Sequence, residues 1–178
     1  FNKSNKLIYN DVRKFGFVKL IKNNDIESCS HLCSLGPDPL SNKFKSKYLQ
    51  KKLPFIKKNI KDFLMDQKHI SGIGNIYANE ILYLSSLNPR KGANKISNKI
   101  IPILVKNTKS VLKDSIKNGG SSIKDFKGIT GKNGDFQQKF KVYDRDGLKC
   151  KKKGCKSLIK KIYISNRSSF FCPVCQNN

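Results

Sequence analysis

Acidic residues are scarce in this 178-residue chain: Asp and Glu total 12 against 37 Lys and Arg, a formal net charge of +25. The commonest partner of so basic a surface is a polyanion. Arginine is scarce too. Only Arg13, Arg90, Arg145 and Arg167 occur, so 33 of the basic residues are Lys. Lys, Asn and Ile are abundant together, as A/T-rich codons would make them, so part of the charge reads as compositional drift on a solvated surface. No stretch approaches 18 consecutive apolar residues, which excludes a membrane-spanning helix of ordinary length. The start lacks the charged, apolar and small-residue order of a signal peptide, and it lacks Met; Phe1 suggests a truncated or cleaved N-terminus. What is present is 37% hydrophobic residues with 11 Phe, enough to bury a core and too many for a disordered basic tail. The length suits one ordinary domain or two small ones.

Along the chain, residues 6–10 and 15–21 carry β-branched and aromatic residues around a turn-like Asn10-Asp11, which predicts two strands. An isolated pair is marginal, so these read as the end of a larger sheet. Ser41 is placed to cap a helix to about Gln50, with Phe44 and Tyr48 one turn apart. Beyond Pro54, Ile56, Ile60, Phe63 and Leu64 repeat at helical spacing. A Gly-rich turn, Ser71–Asn75, leads into a helix over 76–84. Ser97 can cap a long helix built on Ile100, Leu104, Val111 and Ile116, and Gly119-Gly120 ends it. Pro102 blurs where that helix begins. Residues 121–137 read as a long mobile loop of a kind that is often functional. From Phe140 the pattern turns to strand, over 141–143, 158–164 and 168–171.

Six cysteines are present, and four cluster near the C-terminus. Four residues separate Cys150 from Cys155, two separate Cys172 from Cys175, and sixteen lie between the pairs. Two short loops supplying thiolates in pairs make a tetrahedral zinc site. With no open position, that zinc (one Zn2+) would be structural, replacing a hydrophobic core. Cys29 and Cys33 have no further pair to join and read as ordinary thiols.

The turn Ser71-Gly-Ile-Gly-Asn75 brings backbone close to a partner and opens a helix N-terminus to phosphate. Lys57, Lys58 and Lys61 on the preceding helix and Lys68 in the turn surround it, pointing to nucleic-acid backbone contact. An ordinary tight turn would also account for the glycines.

Five ordered motifs go further: Asn10-Asp-Val-Arg-Lys-Phe-Gly16, Leu35-Gly-Pro-Asp-Pro-Leu40, the run from Leu64 to Glu80 containing Gly-Ile-Gly-Asn-Ile-Tyr-Ala-Asn-Glu, Gly119-Gly-Ser-Ser-Ile-Lys-Asp-Phe126, and Arg167-Ser-Ser-Phe-Phe-Cys-Pro-Val-Cys-Gln176. Together, over essentially the whole chain, they closely resemble the formamidopyrimidine-DNA glycosylase family. The resemblance implies an α+β fold: the end of an N-terminal β-sandwich (1–34), a helix–two-turn–helix DNA-binding domain (35–120), a lesion-capping loop (121–139) and a C-terminal β-hairpin zinc finger (140–178). It implies base-excision repair of oxidised purines, 8-oxoguanine and formamidopyrimidines, in a bacterial cytoplasm at the nucleoid. The partner would be double-stranded DNA bearing an oxidised base or abasic site. No feature asks for an oligomer, so a monomer is expected.

The family's roles fall on matching positions. Arg13 and Phe15 resemble the wedge that fills the gap left by a flipped base; chemistry on a base in duplex DNA requires extrusion, and an aromatic with a cation can replace lost stacking and pairing. By alternation with Phe17, Phe15 also reads as a strand core residue. Lys14 stands where the family more often has Arg, losing a bidentate fork on phosphate. Lys61, Lys68 and Asn75 match the DNA-gripping segment, and Arg167 matches an arginine that holds the phosphate at the lesion and assists the elimination step. Glu80 reads as a structural partner within the helical domain.

Two departures stand out. The first cysteine knuckle has four intervening residues where the family commonly has two. The sequence also lacks the N-terminal Pro-Glu whose proline amine forms a Schiff base with the sugar, so these residues are expected to be the DNA-binding half of a bifunctional glycosylase and AP lyase, inactive alone. The alternatives are a non-catalytic zinc-dependent damaged-DNA-binding protein, the sister branch acting on oxidised pyrimidines, and an RNA-associated basic zinc protein.

Overall fold

The computed structural model describes residues 8–11, 14–121 and 135–177. They belong to two compact units, Phe1–Ser34 and Leu35–Asn178. In the first unit neither expected strand forms among the described residues. Residues 8–11 and 14–22 are irregular, followed by a 3-10 turn at Asn23–Asp25 and one helical turn, α1 (Ser30–Cys33). Alternating apolar residues make a strand only when a neighbour takes up their N–H and C=O groups. Among the described residues no strand pairs with this segment, and Phe15, Phe17, Val18 and Leu20 are exposed. What orders the segment locally is Asp11. Its carboxylate accepts from the backbone N–H of Lys14 (3.0 Å) and Gly16 (2.6 Å), while Lys14 turns left-handed at φ 56°.

The second unit holds α2 (Ser46–Lys52), α3 (Ile60–Met65), α4 (Asn75–Leu84), α5 (Ile101–Lys117) and a hairpin of β1 (Lys160–Ile164) and β2 (Arg167–Phe171). α2 starts later than the expected Ser41 cap, because the Ser41 hydroxyl donates back to the Asp38 carbonyl at 2.7 Å inside the proline-rich turn. α3 is capped by Asn59, whose side chain accepts from the Asp62 N–H at 2.8 Å, so Ile56 lies outside it. α5 begins at Ile101 rather than Ser97. Pro102 sits in its first turn, where a missing N–H costs nothing. Its end is the expected glycine cap: Gly119 N–H reaches the Ile116 carbonyl and Gly120 N–H the Ser115 carbonyl, both glycines being left-handed. The helices enclose a core of Phe44, Leu49, Phe63, Leu64, Ile81 and Leu104. Among the described residues, no helix is long and apolar enough to cross a membrane.

Gly36 is fixed by close approach. Its N–H donates to the Gln67 carbonyl at 2.7 Å, and a Cβ there would lie 2.3 Å from the His69 carbonyl carbon. Backbone cannot give way as a side chain can. Gly36→Ala is therefore expected to cost about 3 kcal/mol by denaturant unfolding. Gly74→Ala, with nothing within 4 Å of the added carbon, should cost only tenths.

The hairpin register pairs Ile164 with Arg167 and Lys160 with Phe171. Its two-residue turn, Ser165-Asn166, has φ 47° and 59°, as a type I′ turn requires. The strand expected over 141–143 does not form; the N–H groups of Lys141, Val142 and Tyr143 are taken by the Glu80 carboxylate at 2.9–3.0 Å instead. The long loop is closed at its base by an antiparallel bridge between Ser121 and Asp135. It ends earlier than expected: Phe136–Lys139 is a 3-10 turn with Phe136 buried against Tyr77 and Phe140. Residues 122–134, the remainder of the expected lid, lie outside the described residues.

Candidate nucleic-acid interface and metal centre

The two-turn segment between α3 and α4 is held by one side chain. Gln67 accepts from the Gly72 N–H at 2.7 Å and donates to the Met65 and Ile73 carbonyls, while Gly72 adopts φ 78°. Asp66 ties in the flank, accepting from Lys58 Nζ at 2.5 Å and from the Lys68 N–H at 3.0 Å. The Lys58 hydrogen bond is the main reason its carboxyl lies below the ordinary value. α4 is preceded by Gly74, which has no side chain with which to cap it. No side chain caps its first-turn N–H groups, where the positive end of the helix dipole lies, and Lys68 in the preceding turn is exposed. Lys57 and Lys58 lie in the irregular lead-in to α3 rather than on a helix.

Lys61 turns inward. It is wholly buried, and its ammonium donates to the Ser169 hydroxyl at 2.6 Å and the Ser168 carbonyl at 3.2 Å. Burial lowers it from the usual 10.5 to about 8, with Asp62 opposing that shift and Arg167 adding to it. Asn75 donates to the same Ser168 carbonyl at 3.0 Å, and its own Oδ1 is buried with no hydrogen-bond partner among the described residues. Thus α3 and the start of α4 converge on the residue next to Arg167, whose side chain is exposed. In the other unit, Lys14 and Phe15 are exposed; Arg13 lies outside the described residues.

The cysteine cluster forms as spacing predicted. The Sγ atoms of Cys150, Cys155, Cys172 and Cys175 all lie within 4.8 Å of one another, with Cys150–Cys175 at 3.8 Å and Cys155–Cys172 at 3.7 Å. A tetrahedron with metal–sulfur bonds of about 2.3 Å has edges of about 3.8 Å, so the four thiols fit a zinc ion. Backbone N–H groups of Lys152 and Cys175 point at the Cys150 and Cys172 sulfurs, at 3.5 and 3.4 Å. The longer first knuckle closes through Gly154, at φ 79°, and the Cys150 N–H to Ser157 bond. Cys29 is buried with Sγ 4.0 Å from His31 Nδ1, and Cys33 is exposed; neither joins the cluster.

The family model described as "Formamidopyrimidine-DNA glycosylase H2TH domain" matches residues 35–127. The chain belongs to the formamidopyrimidine-DNA glycosylase family. Among curated relatives, the formamidopyrimidine-DNA glycosylase of Dinoroseobacter shibae is 39% identical over 99% of this chain and 62% of its own length. That of Bradyrhizobium sp. is 40% identical over 96% and 60%. The chain thus spans about three-fifths of the length of the relatives it matches. Among solved structures, Lactococcus lactis Fpg bound to DNA containing an abasic site superposes with a TM-score of 0.85 at 35% identity, over 94% of this chain and 61% of that one. MutM (Fpg) of Thermus thermophilus gives 0.86 at 31% identity, over 94% and 63%. A MutM complex with DNA containing carbocyclic 8-oxo-G gives 0.84 at 36% identity, over 94% and 60%.

Several contacts between the helical core and the C-terminal region escaped sequence reasoning. Glu80 reaches beyond the helical core to residues 141–143, and Asn79 accepts from the Phe170 N–H at 2.7 Å. Gln176 links the Cys172 N–H to the Leu87 carbonyl. The spacing of Asn75, Asn79 and Tyr83, four apart on one helix face, was the available signal.

Proposed function

We propose that the chain is the damaged-DNA-binding half of a base-excision repair glycosylase that removes oxidised purines (8-oxoguanine and formamidopyrimidines). The observation that carries this is the convergence of Lys61 and Asn75 on the Ser168 carbonyl. It ties the hairpin to the uncapped start of α4 at the residue next to the exposed Arg167, and an arginine and a helix N-terminus are both groups that bind a DNA phosphate. Lys61 then serves binding by holding the hairpin, Lys68 and the α4 N–H groups by meeting the backbone, and Arg167 by gripping the phosphate at the lesion and steadying the elimination step. Arg13, Lys14 and Phe15 supply the wedge that replaces the flipped base. Residues 121–139 supply the cap over it, and residues 140–178 a finger held by one zinc ion on Cys150, Cys155, Cys172 and Cys175. Zinc in such a closed site supplies cross-linking, not catalysis.

In the whole protein, glycosylase and AP lyase chemistry would rest on an N-terminal proline amine forming a Schiff base with the sugar; the present sequence supplies binding and positioning. It acts as a monomer on duplex DNA of the bacterial nucleoid. The test is a pair of titrations with this 178-residue chain. Binding should be tighter to a duplex with an abasic-site analogue than to intact duplex, and should weaken steeply with salt as phosphate contacts are screened. Equal affinity for the two duplexes would leave a generic basic binder and sink the damage-reading role.

A further inference from the structure

The finger is not self-contained, because one polar face of α4 serves it at three levels. Asn75, Asn79 and Tyr83 are four residues apart. Asn75 donates to the Ser168 carbonyl at 3.0 Å, Asn79 accepts from the Phe170 N–H at 2.7 Å, and the Tyr83 hydroxyl lies 3.2 Å from Cys150 Sγ. Ser168 and Phe170 point away from the β1 partner, so α4 side chains complete the outer edge of β2 as a third strand would. The Tyr83 ring is buried in the finger's own small cluster with Val142, Ile159 and Phe170, and that packing holds the phenol oxygen in place.

We propose that Tyr83 is an outer-shell donor to the metal centre, its hydroxyl hydrogen-bonding the Cys150 thiolate and governing how firmly the finger keeps its metal. The inference rests on reading the four cysteines as a zinc site. A metal-bound thiolate has no proton, so the phenol is the only possible donor across this 3.2 Å contact. Four thiolates on one divalent cation leave a surplus of two negative charges in a partly buried place. A hydrogen bond to one sulfur spreads that charge, and outer-shell partners of this kind typically change metal affinity by about 10–100-fold. The donor comes from α4 rather than from the finger, so metal retention is wired to the helix that opens at Asn75.

Tyr83→Phe keeps the ring and removes only the hydroxyl. In the full chain, transfer of zinc to a chromogenic chelator should become about tenfold faster or more. In the cobalt-substituted protein, the thiolate-to-cobalt charge-transfer band should move to longer wavelength, since a thiolate relieved of a hydrogen bond gives up its electron more readily. Unchanged release overturns the proposal. So does faster release with an unmoved band, because loosened packing alone would produce that. A wild-type chain that takes up neither zinc nor cobalt overturns the metal reading itself, and with it this one.

Discussion

Cys172→Ser is expected to unfold the C-terminal finger while leaving the helical core intact. Cys172 is wholly buried, so its loss removes a ligand and part of the small apolar cluster together. Among the described residues that cluster has six buried members, two of them cysteines of the metal set, against nineteen in the helical core. Without a metal to cross-link its knuckles, so small a cluster cannot offset the ordering of about forty residues; bound zinc supplies apparent energies of roughly 10–16 kcal/mol in peptides of this kind. The thiols show the strain of sharing a site. Burial works to raise the Cys172 thiol, yet the N–H groups of Cys175 and Val174 bring it down to about 7, while burial and the other three sulfurs push Cys175 up. Such a split is what close thiols impose on one another, since each thiolate disfavours the next. Limited trypsin digestion reads the outcome. In the variant, cleavage should appear at the lysines of residues 149–161, while residues 35–118 stay protected. Cys33→Ser, at an exposed thiol outside the cluster, should digest like the parent. An unchanged digest of Cys172→Ser would mean that the finger does not depend on its metal.

Where the sequence carries its own local logic, the structure follows it. The 75–84 helix, the double-glycine stop at 119–120, the hairpin near 160–171 and the cysteine set all rest on neighbours within a few residues or on one fixed chemistry. The readings that failed depended on partners the sequence cannot point to. Residues 15–21 alternate like a strand, but alternation reports two faces and not the presence of a neighbour to bond to. Val142 and Tyr143 look like strand residues for the same reason, yet their N–H groups are spoken for by a carboxylate some sixty positions earlier. Ser41 has cap chemistry and uses it on a preceding turn.

The site shows the same division. The glycines of the two-turn segment and Arg167 were visible as motif residues. The burial of Lys61 was not, because a lysine among lysines carries no mark of being the one turned inward. Its place follows from β2 arriving more than a hundred residues later to offer Ser168 and Ser169. The motif match to a DNA contact thus falls on an ammonium that bonds Ser168 and Ser169 of the hairpin.

Glu80→Ala is expected to be among the most damaging single substitutions in the second unit, costing about 3–5 kcal/mol. The carboxylate is buried and accepts three backbone N–H groups: Lys141 on Oε2, Val142 and Tyr143 on Oε1. Burial raises its pKa against the pull of those N–H groups, so the folded protein tolerates the charge only because they surround it. Truncation leaves three donors facing an apolar cluster, each costing about 1–3 kcal/mol where water cannot enter. Glu80→Gln separates this account from a simple loss of charge. A glutamine oxygen can still serve Val142 and Tyr143, but its NH2 meets the Lys141 N–H donor to donor, so about half the loss should return. Denaturant midpoints should therefore rank parent, Gln and Ala in that order. The damage should also travel, since residues 141–143 are the chain's entry into the finger: zinc release should quicken in Glu80→Ala although no ligand has changed. Equal midpoints for Gln and Ala would show that the charge, not the three-way acceptance, holds the helices to the finger.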